Sequence, residues 1–115
     1  MCDCGDGPEA FWERHSVAKK WHRCNECGGH IQPGERYWAV RGIWEGDAQS
    51  FKTCSECEDL QNEASDRNDC LCYSFGETHQ NIVDLAGDEG DERWTRYVLA
   101  RIADIRMRRR ALLAA

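Results

Sequence analysis

The sequence predicts a small α+β domain that needs something besides its apolar core to hold it, and three observations carry that expectation. The chain has 115 residues, about one domain's worth. Its aliphatic stock is thin, with fifteen Ile, Val and Leu residues in all, too few for burial alone to secure a fold of this size. All eight cysteines fall into close pairs, Cys2/Cys4, Cys24/Cys27, Cys54/Cys57 and Cys70/Cys72. Residues this near in sequence rarely bridge each other, but they chelate well.

The N-terminus, Met1 to Asp6, has neither a basic region nor an apolar one. A secretory signal is therefore not expected, and no run approaches the ~18 apolar residues of a membrane span. The expected setting is a reducing cytoplasm, with no membrane partner. Gly7-Pro8-Glu9 reads as the start of a helix running to about Trp21, with Pro at the first helical position and Phe11, Ala18 and Trp21 on one face.

Cys24-Asn25-Glu26-Cys27-Gly28-Gly29 follows. Two residues between cysteines let both sulfurs reach one tetrahedral ion at about 2.3 Å, and a glycine after the second ligand frees the backbone to turn its amides toward sulfur. Residues 37–41 and 49–53 read as strands around a turn region containing Gly42, Gly46 and Asp47. Thr53-Cys54-Ser55-Glu56 matches a capping box, with Thr53 as N-cap, so Cys54 and Cys57 fall in the first turn of a helix that ends near residues 67–69. Cys24, Cys27, Cys54 and Cys57 thus form a tetrathiolate set with zinc spacing. An iron site of the rubredoxin kind fits less well, because its second pair lies in a knuckle rather than at a helix start.

Knuckle, hairpin and helix in this order resemble treble-clef zinc fingers of the LIM-like kind. The stretch from Cys24 to Leu60, with Ile31, Gly34-Glu35, Tyr37, Trp44, Phe51 and Cys54-Ser55-Glu56-Cys57, carries the resemblance and is also similar to small bacteriophage zinc-finger proteins. The resemblance implies a treble-clef core at about residues 24–66 within a zinc-binding domain of residues 1–91. A phage origin would make the expected compartment the host cytoplasm.

Cys2, Cys4, Cys70 and Cys72 are complementary in number. A second zinc site tying the N-terminus to the region after the first helix is the economical expectation; free thiols, or a mixed site using His79, are the alternatives. His15, His22 and His30 are expected to be surface or supporting residues, since four thiolates already fill zinc's usual positions.

Residues 70–91 read as a loop, a short helix at about Thr78 to Leu85, and a flexible acidic stretch over 87–91. A basic amphipathic helix spans 92–115, regular to about Leu113, with the stripe Trp94, Val98, Ile102, Ile105 and Leu112. Charge divides unevenly: the net charge of -6 conceals +5 in residues 92–115 and -11 in residues 1–91. A body that acidic disfavours nonspecific nucleic-acid binding. Arg106, Arg108, Arg109 and Arg110 form the one cluster expected to face phosphates or a partner, unless they fold back onto the acidic body.

A closed tetrathiolate argues against zinc hydrolysis, which needs an open coordination position. The deaminase pattern, Gly-rich phosphate loops and serine triads are absent. Thr78-His79-Gln80-Asn81 invites comparison with HNH nucleases, but a second metal-binding His is not visible. The sequence therefore predicts a non-catalytic structural-zinc protein acting as a protein-binding adaptor or inhibitor. A nucleic-acid-binding finger using the C-terminal arginines is the alternative, and the apolar stripe offers a route to a homo-oligomer.

Overall fold

The computed structural model describes residues 4, 5 and 7–112. The elements, in chain order, are β1 (Ala10–Val17), β2 (His22–Arg23), β3 (His30–Ile31), β4 (Arg36–Trp44), β5 (Asp47–Cys54), α1 (Ser55–Arg67), α2 (Thr78–Glu89) and α3 (Glu92–Ala111). An antiparallel three-stranded sheet, ordered β1-β4-β5, stands beside the two-stranded β2-β3 ribbon.

The helix expected before Trp21 is a strand. β1 pairs with β4 from Ala10↔Ile43 to Val17↔Arg36. Successive side chains point to opposite faces of the sheet, so Phe11, Glu13 and His15 face one way and Trp12 and Arg14 the other. That pairing engages the β4-facing backbone groups along all eight residues of the strand, and it overrides the weaker helical spacing of Phe11, Ala18 and Trp21.

β4 and β5 join through Glu45-Gly46, both at positive φ (50° and 83°), as a type I′ hairpin requires. Gly42 lies inside β4 rather than in the turn. The Trp44 indole occupies the place where a Cβ on residue 42 would stand. Phe75, from the loop before α2, covers this face of the sheet, with ring centroids 5.5 Å from Trp38 and Phe51 and 6.2 Å from Trp44. Aromatic packing therefore supplies part of what the scarce aliphatics do not.

α2 continues to Glu89 and ends on Gly90 at φ 73°, so most of the acidic stretch expected to be flexible is helical. Arg67 at the end of α1 secures it, pairing with Glu89 at 3.3 Å and Asp91 at 2.5 Å. Asp91 is the N-cap of α3, accepting from the Trp94 N–H at 3.1 Å. Val98, Ile102 and Ile105 of the predicted stripe are buried with Leu60 and Ala64 of α1, Ile82 of α2 and the inner cysteines. The stripe is thus core, which removes the basis for self-association through it. No helix among the described residues is long and apolar enough to cross a membrane.

Candidate metal centre

The inner cysteines come together as expected. One ligand atom from each of Cys24, Cys27, Cys54 and Cys57 lies within 4.8 Å of all the others. The four residues are between 0% and 2% exposed. The sulfurs of Cys24 and Cys57 are 3.8 Å apart, which matches the edge of a tetrahedron with metal–sulfur bonds of about 2.3 Å.

Local backbone builds each half. In the knuckle, Cys24 N–H donates to the Gly29 carbonyl at 2.8 Å and Gly28 N–H to the Cys24 carbonyl at 2.9 Å, while Gly28 sits at φ 72°. This turn aims the Gly29 N–H at Cys27 Sγ, 3.3 Å away. In the other half, Cys54 both ends β5 and caps α1, its sulfur accepting from the Cys57 N–H at 3.5 Å. The capping residue is thus one position later than expected. The Cys54 N–H donates to Cys24 Sγ at 3.3 Å and so joins the halves.

Four thiols this close cannot all ionise unaided. Hydrogen bonding from Cys27, Cys54 and Cys57 holds the Cys24 thiol well below its ordinary range. The same sharing with Cys24 pushes the Cys54 and Cys57 thiols up. A divalent cation relieves that conflict by stabilising every thiolate at once. The donor set fits zinc: all sulfur, closed and tetrahedral.

The residues between the ligands organise the domain; Asn25 and Glu26 have no role assigned from the sequence, and Glu56 is expected there only as a capping-box residue. Asn25 N–H donates to the Lys52 carbonyl at 2.8 Å, and its side-chain oxygen accepts from Lys52 N–H at 2.6 Å, which fastens the knuckle to β5. The Glu26 carboxylate accepts from Gly76 N–H at 2.6 Å and Thr78 N–H at 3.0 Å. It thereby caps α2 from a distance, because Glu77 makes no side-chain cap. Burial raises the Glu26 pKa, and these N–H groups oppose the rise. Glu56 does not fold back as a capping-box residue; it reaches Arg109 at 3.0 Å and also Arg108. One signal was available: a carboxylate set between thiolates is repelled by them unless something pairs with it.

The C-terminal arginines divide. Arg109 is 5% exposed and meets Glu35 at 2.8 Å, Glu56, and the His30 carbonyl at 3.1 Å. Burial opposes its charge, but the neighbouring Cys54, Glu35 and Glu56 outweigh that and raise its pKa. Arg108 pairs with Glu56 and Asp104. The expected phosphate-facing cluster is therefore broken up, with two of its members folded onto the acidic body, while Arg106 and Arg110 stay exposed.

The outer pairs meet in a different way from the one expected. Cys4 and Cys72 form a disulfide with a Cα separation of 5.5 Å, in place of two thiolate ligands of a second zinc. Two thiols brought together can take either form, and such a bond persists in oxidising rather than reducing surroundings. Cys2 lies outside the described residues. His79 is 3% exposed at the start of α2; burial, with Arg106 adding to it and the Cys24 thiolate opposing, pushes its pKa down to about 4. His15 pairs with Glu58 at 2.6 Å, while the rings of His22 and His30 pack on Tyr37 and Trp21. No protein-family model, curated protein or solved structure matches the chain.

Proposed function

We propose that the chain is a non-catalytic binding module built on one structural zinc ion held by Cys24, Cys27, Cys54 and Cys57. One observation carries the reading: four fully buried thiols converge at tetrahedral spacing, with no ligand position left open to a substrate. The order of knuckle, hairpin and helix supports a treble-clef core. The burial of His79 speaks against the nuclease comparison, since a buried imidazole cannot reach a phosphodiester.

A module of this kind acts through its surface. Leu99 and Met107, 49% and 68% exposed on α3, favour a second reading as a protein-binding adaptor. Native mass spectrometry combined with a metal assay tests the central reading. One zinc per chain is expected, with cooperative unfolding when a chelator removes it; an unchanged fold after metal removal would overturn it.

A further inference from the structure

The face of the β1-β4-β5 sheet opposite Phe75 carries chemistry that the zinc centre does not use. The register places Trp12, Arg41 and Ser50 in one row across the strands and Arg14, Ala39 and Lys52 in the next. These residues line a shallow, open depression. Trp12 is 59% exposed, Arg14 and Arg41 are exposed, and Lys52 is half-buried. Among the described residues, no ion pair engages any of these cations. Glu13, the one acidic residue on the rim, turns its carboxylate to the opposite face, where it accepts from Trp38 Nε1 at 3.1 Å.

In a chain of net charge -6, cations without ion pairs grouped around an exposed indole form a local basic and aromatic patch that sets this face apart from the acidic body. We infer that this sheet face binds single-stranded nucleic acid, with Trp12 stacking on a base and Arg14, Arg41 and Lys52 meeting the backbone phosphates. The inference rests on the reading of the chain as a binding module and names its partner. Stacking on an aromatic platform flanked by cations suits unpaired bases, whose faces a duplex keeps covered. The carboxylates of an acidic peptide would answer the charges but would leave the indole face unused, whereas a nucleotide offers both a phosphate and a base. The contact thus falls on the sheet rather than on Arg106, Arg108, Arg109 and Arg110.

Fluorescence anisotropy with labelled oligothymidylate and oligouridylate, against a duplex of the same length, tests this on the zinc-loaded full chain. Single strands should bind more tightly than duplex, with a log–log salt slope of about -2 for three phosphate contacts. Preference for one oligomer over the other tells DNA from RNA. Trp12→Ala should weaken binding about five- to hundredfold, and Arg41→Ala with Lys52→Ala should reduce the slope by about 1.4. Arg106→Ala with Arg110→Ala should leave binding unchanged.

Equal affinity for duplex, full binding by Trp12→Ala, or loss only in the Arg106/Arg110 variant would overturn the inference, as would binding to acidic peptides alone. Zinc content and thermal midpoint measured on the same samples separate the two readings. A zinc-dependent fold without nucleic-acid binding removes the inference and keeps the module; a fold that survives chelation removes the module. Arg41→Glu, at an exposed position, supplies a second variant should Trp12→Ala fold poorly.

Discussion

Arg109 Nε donates to Glu56 Oε1 at 3.0 Å, joining the end of the last helix to a residue set between Cys54 and Cys57 of the cysteine cluster. The same guanidinium reaches Glu35 beyond the knuckle, so one side chain clamps both halves of the metal centre. Removing it leaves Glu35 beside the thiolate cluster without its cation and Glu56 with Arg108 alone. Arg109→Ala should cost about 2 kcal/mol by thermal or urea unfolding of the zinc-bound protein. That is less than a fully buried pair would lose, because Glu35 and Glu56 keep some access to water. Arg110→Ala, exposed nearby, should change stability little.

Gly29 tests the same junction from the other side. A Cβ there would overlap the Arg109 side chain and crowd its backbone. Gly29→Ala should therefore destabilise by about 1–3 kcal/mol, as overpacking does, and hydrogen exchange should show the last turns of α3 opening first. A neutral result would mean that the helix end does not press on the knuckle.

Zinc retention should fall steeply with acid. Bound thiolates stay deprotonated far below the free thiol pKa of about 8.5, so the bound form's pKa is depressed and its stability is lost as pH falls. With four thiols protonated in the released state, apparent affinity should fall by about four decades per pH unit below that value. Chelator competition between pH 6.5 and 7.5 measures the slope; a slope near zero would exclude a thiolate site. Cys27→Ser should abolish tight binding and cooperative unfolding together.

The Cys4–Cys72 bond spans a sequence separation of 68 residues. Reduction should lower stability by about 2–4 kcal/mol, as closure of a long loop does. The oxidised protein should hold one zinc. Uptake of a second equivalent after reduction would show that the outer thiols can serve as ligands.

Pair spacing made the inner site legible, because chelation by C-x2-C depends on local geometry and little else. The hairpin and the three helices were readable from turn residues and apolar steps. β1 was not: Phe11, Ala18 and Trp21 suit one helical face, and only the long-range pairing with β4 decides for a strand. Folding back of the C-terminal arginines onto the acidic body was foreseeable, but not that Arg109 is the one buried, because its partners Glu35 and Glu56 lie 74 and 53 residues away, beyond what charge patterning along one helix can reveal. The cations of the sheet were hidden for the opposite reason. Arg14, Arg41 and Lys52 are scattered in sequence and become neighbours only through strand register.

Asn25, Glu26 and Glu56 fasten the ligand loops to β5, α2 and α3 in turn. Each of these attachments starts from a residue set between two of the four cysteines. Emptying the cysteine cluster should release all three attachments together, so β5, the start of α2 and the end of α3 should open in a single event and exchange their amides at a common rate. Strengthening any one of them alone should raise the free energy of that event for all three.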